Sequence, residues 1–240
     1  MSRCIVAGAI TFFFLFETDF VRAQSDQFRP VTDSTLNNPA PEDWLNWRRT
    51  LDAHGHSPLT QITKDNVARL RLAWSWSLQQ GSQQTTPLVY DGVLYIANPG
   101  EVVHALEAAT GDFIWEYRRD APEPENSFGG PPPGRAHRNI AIYEDKIYLN
   151  TADAHVIALN ARDGSVVWDT DIGKGVGFQF SSGAIVADGK VVSGLTGCGR
   201  YREDTCYIVS LDAQSGHELW RTSTIAMPGE RGGDSWSDLP

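Results

Sequence analysis

The sequence contains three copies of one pattern: an apolar segment, a polar turn that ends in glycine, and a second apolar segment that ends in tryptophan. The copies are Val103–Trp115, Val156–Trp168 and Ile208–Trp220, at intervals of about fifty residues. Glycine at this place allows a positive φ in a tight turn, and apolar residues that alternate on both flanks are typical of half-buried strands. The pattern therefore predicts a repeated antiparallel hairpin.

A second hairpin-like segment precedes each copy. These segments are Pro87–Ile96, Ile140–Leu149 and Ala184–Ser193. Four strands in each repeat of about fifty residues are typical of β-propeller blades, and a repeated tryptophan can bury apolar surface between neighbouring sheets. We predict an all-β propeller of four-stranded blades docked through tryptophan. The alternative is a β-sandwich with accidental similarity, and three copies with the same spacing from leucine to glycine to tryptophan count against it.

Propeller rings need at least about four blades, and this sequence contains three repeats. We therefore expect the chain to be part of a longer protein with about three blades and an N-terminal arm. The predicted arm covers residues 24–69, which include four prolines and are expected to lie along the surface with a short helix near Asp43–Arg49. The partial propeller covers residues 70–240, and Leu70–Leu78 is expected to be a strand that completes a blade elsewhere in the ring.

The first 23 residues have the pattern of a secretory signal peptide. A short basic start precedes the apolar run Cys4–Phe16, and Val21-Arg22-Ala23 offers small residues for cleavage before Gln24. The alternative is a membrane anchor, but the run is short for a helix that crosses a bilayer, and Glu17 and Asp19 end it. We expect export to the periplasm without membrane insertion.

The formal net charge of −10 limits the classes of partner. An acidic surface disfavours binding to nucleic acids and to anionic membranes, because both carry negative charge. Cys198 and Cys206 are the cysteines that remain after cleavage, and an oxidising compartment favours a disulfide between them. Two free thiols or a metal-binding pair are the alternatives.

Several segments together resemble the pyrroloquinoline quinone (PQQ)-dependent alcohol dehydrogenases. Asp43–Thr50, His56–Leu59 and Leu72–Trp74 are similar to the N-terminal signature of that family, and Thr86–Tyr95 follows as it does there. The tryptophan repeats are similar to the family's docking motif, and the resemblance runs from about Asp43 to Ile225. It implies an eight-bladed propeller with PQQ and a Ca²⁺ ion near its axis.

The resemblance also implies which residues contact the cofactor. Arg138 stands where the family has an arginine whose charge-assisted hydrogen bonds hold a quinone oxygen or a carboxylate. Thr151 matches a PQQ-contacting threonine, and Gln84 replaces a glutamate that usually precedes Thr-Pro. The stretch Thr196-Gly197-Cys198 resembles a Ser-Gly-Ala stretch that touches the quinone. The catalytic aspartate base of the family is expected beyond residue 240.

Besides Gln84, two further departures from the family pattern concern the cofactor site. The neighbouring cysteines that cover one face of PQQ are expected just before Arg138, where this sequence has Pro132-Pro133-Gly134. The glutamate that binds Ca²⁺ is expected after Gly197-Cys198, where Gly199 stands instead. Because Ca²⁺ needs several oxygen ligands, the sequence leaves the metal without its usual ligand.

The resemblance implies a periplasmic quinoprotein dehydrogenase that oxidises an alcohol through PQQ and passes electrons to a cytochrome c or another acceptor. The alternative is a propeller of the same lineage that acts as a scaffold or binding protein without catalysis. The replaced cysteines and the lost glutamate favour the scaffold. The arm, Arg138 and Thr151 favour the enzyme.

Overall fold

A computed structural model describes residues 28–120, 138–173, 179–180, 182–196, 207–226 and 229–236. These residues form three antiparallel sheets that follow one another along the chain. The first consists of β1 (Leu88–Tyr90), β2 (Val93–Asn98), β3 (Val102–Glu107) and β4 (Phe113–Arg118). The second consists of β5 (Ala141–Tyr143), β6 (Lys146–Asn150), β7 (His155–Asn160) and β8 (Val166–Asp171).

The third sheet contains one additional short strand. It consists of β9 (Gln179–Phe180), β10 (Ile185–Ala187), β11 (Lys190–Thr196), β12 (Tyr207–Asp212) and β13 (Glu218–Ser223). Strands β10 to β13 pair in chain order, and β9 pairs with the end of β11. The three sheets confirm the predicted four-strand repeat, and we number these blades 1, 2 and 3.

Each blade has two distinct ends, because its strands run antiparallel. At one end, called the turn face, lie the tight turns β1–β2, β5–β6 and β10–β11 together with the glycine turns that precede β4, β8 and β13. At the other end, called the loop face, β1, β5 and β10 begin and β2, β6 and β11 end. Residues just before the first strand of a blade therefore lie near residues just after its second strand.

The tryptophans dock each blade onto the next, as predicted. The indole Nε1 of Trp115 in blade 1 donates a hydrogen bond of 3.1 Å to the carbonyl oxygen of Ala161 in blade 2. Trp168 makes the same bond of 3.1 Å with Ala213 of blade 3. A buried tyrosine of the second strand donates to each of these carbonyls as well, Tyr95 at 3.1 Å and Tyr148 at 3.0 Å. Each boundary thus combines aromatic burial with two satisfied polar groups.

The predicted strand over Leu70–Leu78 is wrong, because the structure contains no strand between these residues. Trp74 nevertheless docks on blade 1 through a hydrogen bond of 3.1 Å to the carbonyl oxygen of Ala108. The large apolar side chains Leu70 and Leu72 are exposed. The segment therefore supplies the docking tryptophan of a blade but has no sheet partner among the described residues.

The predicted helix near Asp43–Arg49 is also wrong. Those residues form turns and a single β-bridge, and the arm's α-helix is α1, Asp33–Asn37, while Val67–Arg69 and Gly233–Trp236 form 3-10 helices. The side chain of Thr32 caps α1 by accepting a bond of 3.2 Å from the amide of Thr35. None of the described helices is long and apolar enough to cross a bilayer, and the predicted signal peptide lies outside the described residues.

The arm contacts all three blades. The backbone of Trp44 exchanges two hydrogen bonds with Val89 of β1, at 2.8 and 2.9 Å, and Val31 exchanges two with Glu144, at 2.9 and 2.7 Å. The carboxylate of Asp33 accepts from the hydroxyl of Tyr143 at 2.9 Å and from the amide of Asp188 at 2.8 Å. Glu144 lies in the turn between β5 and β6, and Asp188 lies in the turn between β10 and β11. The arm therefore fixes these turns of blades 2 and 3 relative to each other.

Replacing Asp33 with alanine tests this role of the arm. The change removes both hydrogen bonds and leaves the hydroxyl of Tyr143 and the amide of Asp188 to find water, so we expect a loss of about 1–2 kcal/mol in the free energy of unfolding. Urea denaturation measures this loss, and hydrogen exchange at Asp188 should accelerate. The matched control is the exposed Asp65 on the same arm, whose replacement by alanine should change stability by less than about 0.5 kcal/mol. Equal effects of the two substitutions would contradict the role given to Asp33.

Candidate functional site

The loop face brings together the candidate residues that the structure describes. Gln84 precedes β1, Arg138 precedes β5, Thr151 directly follows β6 and Thr196 is the last residue of β11. All four lie at the same end of their blades because of the antiparallel order of the strands. The side chain of Thr196, and the whole of Gly197, Cys198 and Cys206, fall outside the described part of the chain.

The segments that lead into the three blades are joined by hydrogen bonds. The amide of Thr86 donates to the carbonyl oxygen of Arg138 at 3.1 Å, which joins the entry of blade 1 to that of blade 2. Asn139 then reaches blade 3, where its Oδ1 accepts from the amide of Gly183 at 3.0 Å. A Cβ atom at position 183 would lie 2.0 Å from the carbonyl oxygen of Asn139, so this approach requires glycine. Hydrogen bonds to the entry segments of blade 1 and blade 3 therefore hold the chain at Arg138 and Asn139.

The side chain of Arg138 is exposed on the loop face, as is that of Gln84. A guanidinium group offers five donors in a planar fork, a geometry that suits carboxylates and other paired oxygen acceptors. Gln84 donates from Nε2 to the hydroxyl of Ser82 at 3.3 Å. Arg138 thus combines a fixed backbone with a positively charged head that is accessible to a ligand with oxygen acceptors.

Thr151 is fully buried, and its hydroxyl is already bonded. The hydroxyl donates to the carboxylate of Asp153 and accepts from the amide of His155 at 3.0 Å. Burial alone would raise the pKa of Asp153, but the bond from Thr151 and the guanidinium of Arg119 outweigh it and hold that pKa below its usual value. The structure therefore places Thr151 within a locked turn on the loop face, and its direct contact with a cofactor stays a prediction.

The end of β6 is also bonded to blade 3. Asn150 donates from Nδ2 to the carbonyl oxygen of Ser182 at 3.0 Å and accepts from the hydroxyl of Ser193 at 3.1 Å. Asn139 and Asn150 join blades and are not predicted from the sequence. Their position next to Arg138 and Thr151 is the local signal that would have found them.

An open groove of about 170 Å³ lies between the arm and blades 2 and 3. Most of its walls are apolar, with the side chains of Asn46, Arg48 and Asn139 among its polar groups. Pockets that enclose small organic ligands are usually of at least about 300 Å³. The donors of Arg138 fit a polyanionic quinone such as PQQ, but Arg138 does not line this groove, which is smaller than such a ligand needs. Among those residues, no three His, Cys, Asp or Glu side chains are grouped closely enough to hold a metal ion.

Comparison with known proteins gives one consistent family. The family model described as PQQ, glucose/ethanol/alcohol dehydrogenase, β-propeller domain, matches residues 44–238. The dehydrogenase subunit of an alcohol dehydrogenase (quinone) of Gluconobacter oxydans is 31% identical over 224 residues, which cover 90% of this chain and 29% of the relative. Quinohemoprotein alcohol dehydrogenase ADH-IIG of Pseudomonas putida is 33% identical over 193 residues, which cover 79% of this chain and 26% of the relative.

Solved structures agree with this result. The quinohemoprotein alcohol dehydrogenase ADHIIG of Pseudomonas putida HK5 superposes with a TM-score of 0.75 at 29% identity, covering 88% of this chain and 32% of that one. A europium-containing methanol dehydrogenase has a TM-score of 0.70 at 24% identity, over 82% of this chain and 34% of that one, which supports the fold alone. The chain thus spans about a third or less of the length of these relatives. The chain belongs to the PQQ-dependent glucose/ethanol/alcohol dehydrogenase family, and its described residues form three blades of the β-propeller domain.

Proposed function

We propose that this chain is part of a periplasmic quinoprotein dehydrogenase that oxidises an alcohol with PQQ and transfers the electrons to a cytochrome c-type acceptor. The observation that carries the proposal is the exposed guanidinium of Arg138 on a backbone fixed by the entries of blades 1 and 3. The named relatives support it, because they are alcohol dehydrogenases and one is a 1-butanol dehydrogenase (cytochrome c) of Thauera butanivorans.

When bound, PQQ supplies the redox chemistry by accepting two electrons from the alcohol. The residues of this chain bind and orient. Arg138 would donate hydrogen bonds to oxygen atoms of the cofactor, and Thr196, Gly197 and Cys198 would contact the quinone. The turn that carries Thr151 follows β6 at the same face.

The proposed function also involves export, a disulfide and a metal ion. Export through the signal peptide at residues 1–23 would place the chain in an oxidising compartment. A disulfide between Cys198 and Cys206 would then close the loop between β11 and β12. A Ca²⁺ ion would need oxygen ligands other than the glutamate that Gly199 replaces, so we propose binding measurements both with and without added Ca²⁺ or a lanthanide.

Replacing Arg138 with alanine tests the role of this residue in cofactor binding. The variant loses charge-assisted donors, each worth about 1.5–3 kcal/mol, so we expect the Kd for PQQ in the full-length protein to rise at least about tenfold. Titration followed by quinone absorbance measures the Kd, and alcohol-dependent dye reduction reports activity. Arg138→Lys should recover part of the affinity, because lysine keeps the charge but not the planar fork.

The matched control is Arg162→Ala, since Arg162 is exposed in a turn at the opposite end of blade 2. That variant should bind PQQ as the wild type does. If the wild-type protein retains no PQQ with or without added Ca²⁺ or a lanthanide, the enzyme proposal fails and the scaffold alternative takes its place. Equal PQQ affinity in Arg138→Ala and the wild type would show that Arg138 does not contribute to PQQ binding.

A further inference from the structure

Arg119 crosses from blade 1 to blade 2 on the loop face. It follows the end of β4, and its side chain is only 12% exposed. Nη2 and Nε donate to Oδ2 of Asp153 at 2.8 and 3.1 Å, and Nη1 donates to Oδ2 of Asp169 at 2.7 Å. One planar guanidinium therefore spans two carboxylates of the neighbouring blade, a geometry that a single ammonium group does not reproduce.

The first of these carboxylates acts directly on the turn that carries Thr151. Asp153 accepts a hydrogen bond from the hydroxyl of Thr151 with Oδ1, while Oδ2 accepts from Arg119. Arg119 holds the negative charge on Asp153, because its guanidinium helps to keep the pKa of this partly buried carboxyl below the usual value. A charged Asp153 fixes the rotamer of Thr151, whose oxygen in turn caps the amide of His155 at 3.0 Å.

A second contact from blade 1 holds the same turn. The carboxylate of Glu101, in the turn between β2 and β3, accepts from the amide of Ala152 at 2.9 Å. The carbonyl oxygen of Glu101 accepts from the amide of Arg119 at 3.1 Å, so the two residues that hold the turn are themselves joined. The turn from Thr151 to Ala154 is thus held from the neighbouring blade by the side chains of Glu101 and Arg119.

We propose that Arg119 is a positioning residue for the cofactor face: acting through Asp153, it sets the conformation of the Thr151 turn of blade 2 from blade 1. The inference rests on the proposed function, because it assumes that the loop face binds PQQ. Arg119 itself does not contact the cofactor in this proposal. Without its charge, Asp153 loses its closest cationic partner and faces Asp169 with His155 between them, at 3.9 Å from Asp153 and 2.6 Å from Asp169. Asp153 then takes up a proton more readily or turns away from Thr151.

The proposal predicts a characteristic pH dependence. A carboxyl whose pKa is lowered in the folded protein contributes stability above its unfolded pKa, and this contribution is lost as the pH falls through the folded pKa. In the wild type, the hydrogen-bonded conformation of the Thr151 turn should therefore persist to a pH below the usual pKa of aspartate. In Arg119→Ala, burial without the compensating cation raises the pKa of Asp153, so the order should be lost at a higher pH. The charged or titratable groups around Asp153 are Arg119, Asp169, His155, Glu101 and Tyr117.

The experiment compares Arg119→Ala, Arg119→Lys and Arg118→Ala in the full-length protein. Arg118 is the matched control, because it is the preceding residue and is paired with Glu116 of its own strand at 3.2 Å. Two readouts are needed: hydrogen exchange at Ala152 and His155 without cofactor, and the Kd for PQQ from quinone absorbance as a function of pH. We expect Arg119→Ala to accelerate exchange at both amides and to raise the Kd about tenfold, or about 1.4 kcal/mol.

The pH at which PQQ affinity is half lost should also move upward in Arg119→Ala, and Arg119→Lys should restore it towards the wild-type value. Arg118→Ala should match the wild type in every measurement. If exchange accelerates while the Kd and its pH profile stay as in the wild type, Arg119 is only a structural contact and the proposal is overturned. If the wild type itself binds no PQQ, the proposed function fails and the positioning role falls with it.

Discussion

Replacing Gly164 with alanine is expected to lower the free energy of unfolding by about 3 kcal/mol, more than a turn glycine usually contributes. Gly164 has a φ of +72°, and a Cβ atom there would lie 2.5 Å from Cε3 of the Trp115 ring. Alanine would therefore add backbone strain of about 1 kcal/mol and also push the docked indole away from blade 2. Urea denaturation of the 240-residue chain measures the loss.

Gly189→Ala is the matched control. Gly189 also lies in a tight turn with a positive φ, at +67°, but a Cβ atom added there would have no neighbour within 4 Å. Its replacement should cost about 1 kcal/mol from backbone strain alone. The difference between the two variants isolates the close approach of indole and glycine. Similar losses in both would show that the tryptophan tolerates displacement and that docking does not depend on this contact.

Replacing Trp115 with alanine should destabilise the chain by about 3–5 kcal/mol. The ring is buried between blades 1 and 2, 6% exposed, and the change removes its hydrogen bond to Ala161. It also opens a cavity against Tyr95, whose ring centroid lies 6.0 Å from that of Trp115. Urea denaturation followed by tyrosine and tryptophan fluorescence measures the loss.

Trp220 occupies the same place in the third repeat and is 42% exposed. Trp220→Ala is therefore the control, with an expected loss of about 1 kcal/mol or less in the 240-residue chain. The comparison holds the residue type and repeat position constant and varies the burial of the ring. A large effect of Trp220→Ala would mean that the tryptophan stabilises its own blade rather than the boundary between blades.

The repeats can be read from the sequence because their structure is local. Each hairpin closes within a few residues, and its alternating apolar side chains and turn glycine carry the information that forms it. Even the docking of Trp115 follows from the regular spacing, since a large apolar ring at one place in every repeat needs a common partner. Period and turn chemistry thus predict the blades and their order.

The wrong predictions for Leu70–Leu78 and for the segment near Asp43 have a shared physical cause. Leu70–Leu78 has the alternation of a strand, but a strand exists only where a partner completes its backbone hydrogen bonds. The segment near Asp43 is expected to form a helix, yet the backbone of Trp44 pairs with Val89, and Asp43 accepts from the amide of Asp91 at 3.2 Å. In both cases distant groups, rather than the local sequence, decide the conformation.

In the candidate site, too, local sequence predicts some residues, whereas contacts between distant residues determine the others. Arg138 is identified from the sequence because its neighbours resemble a family motif. Arg119 is missed because its partners Asp153 and Asp169 lie 34 and 50 residues further along the chain. By its sequence Asp153 is an ordinary turn residue, and its link to another blade leaves no trace in the residues beside it. Charge pairs between blades are visible only once the ring geometry is known.

The contacts of the arm determine when it can settle during folding. Asp33 bonds to the amide of Asp188, a separation of 155 residues, whereas the hairpins of each blade join residues that are close in sequence. Closing so long a loop is slow and entropically unfavourable until the blades that receive the arm have formed. During synthesis the arm leaves the ribosome before any blade, yet its binding site is complete only when the first hairpin of blade 3 has folded. The arm is therefore made before the blades, but the hydrogen bond between Asp33 and blade 3 can form only after that hairpin.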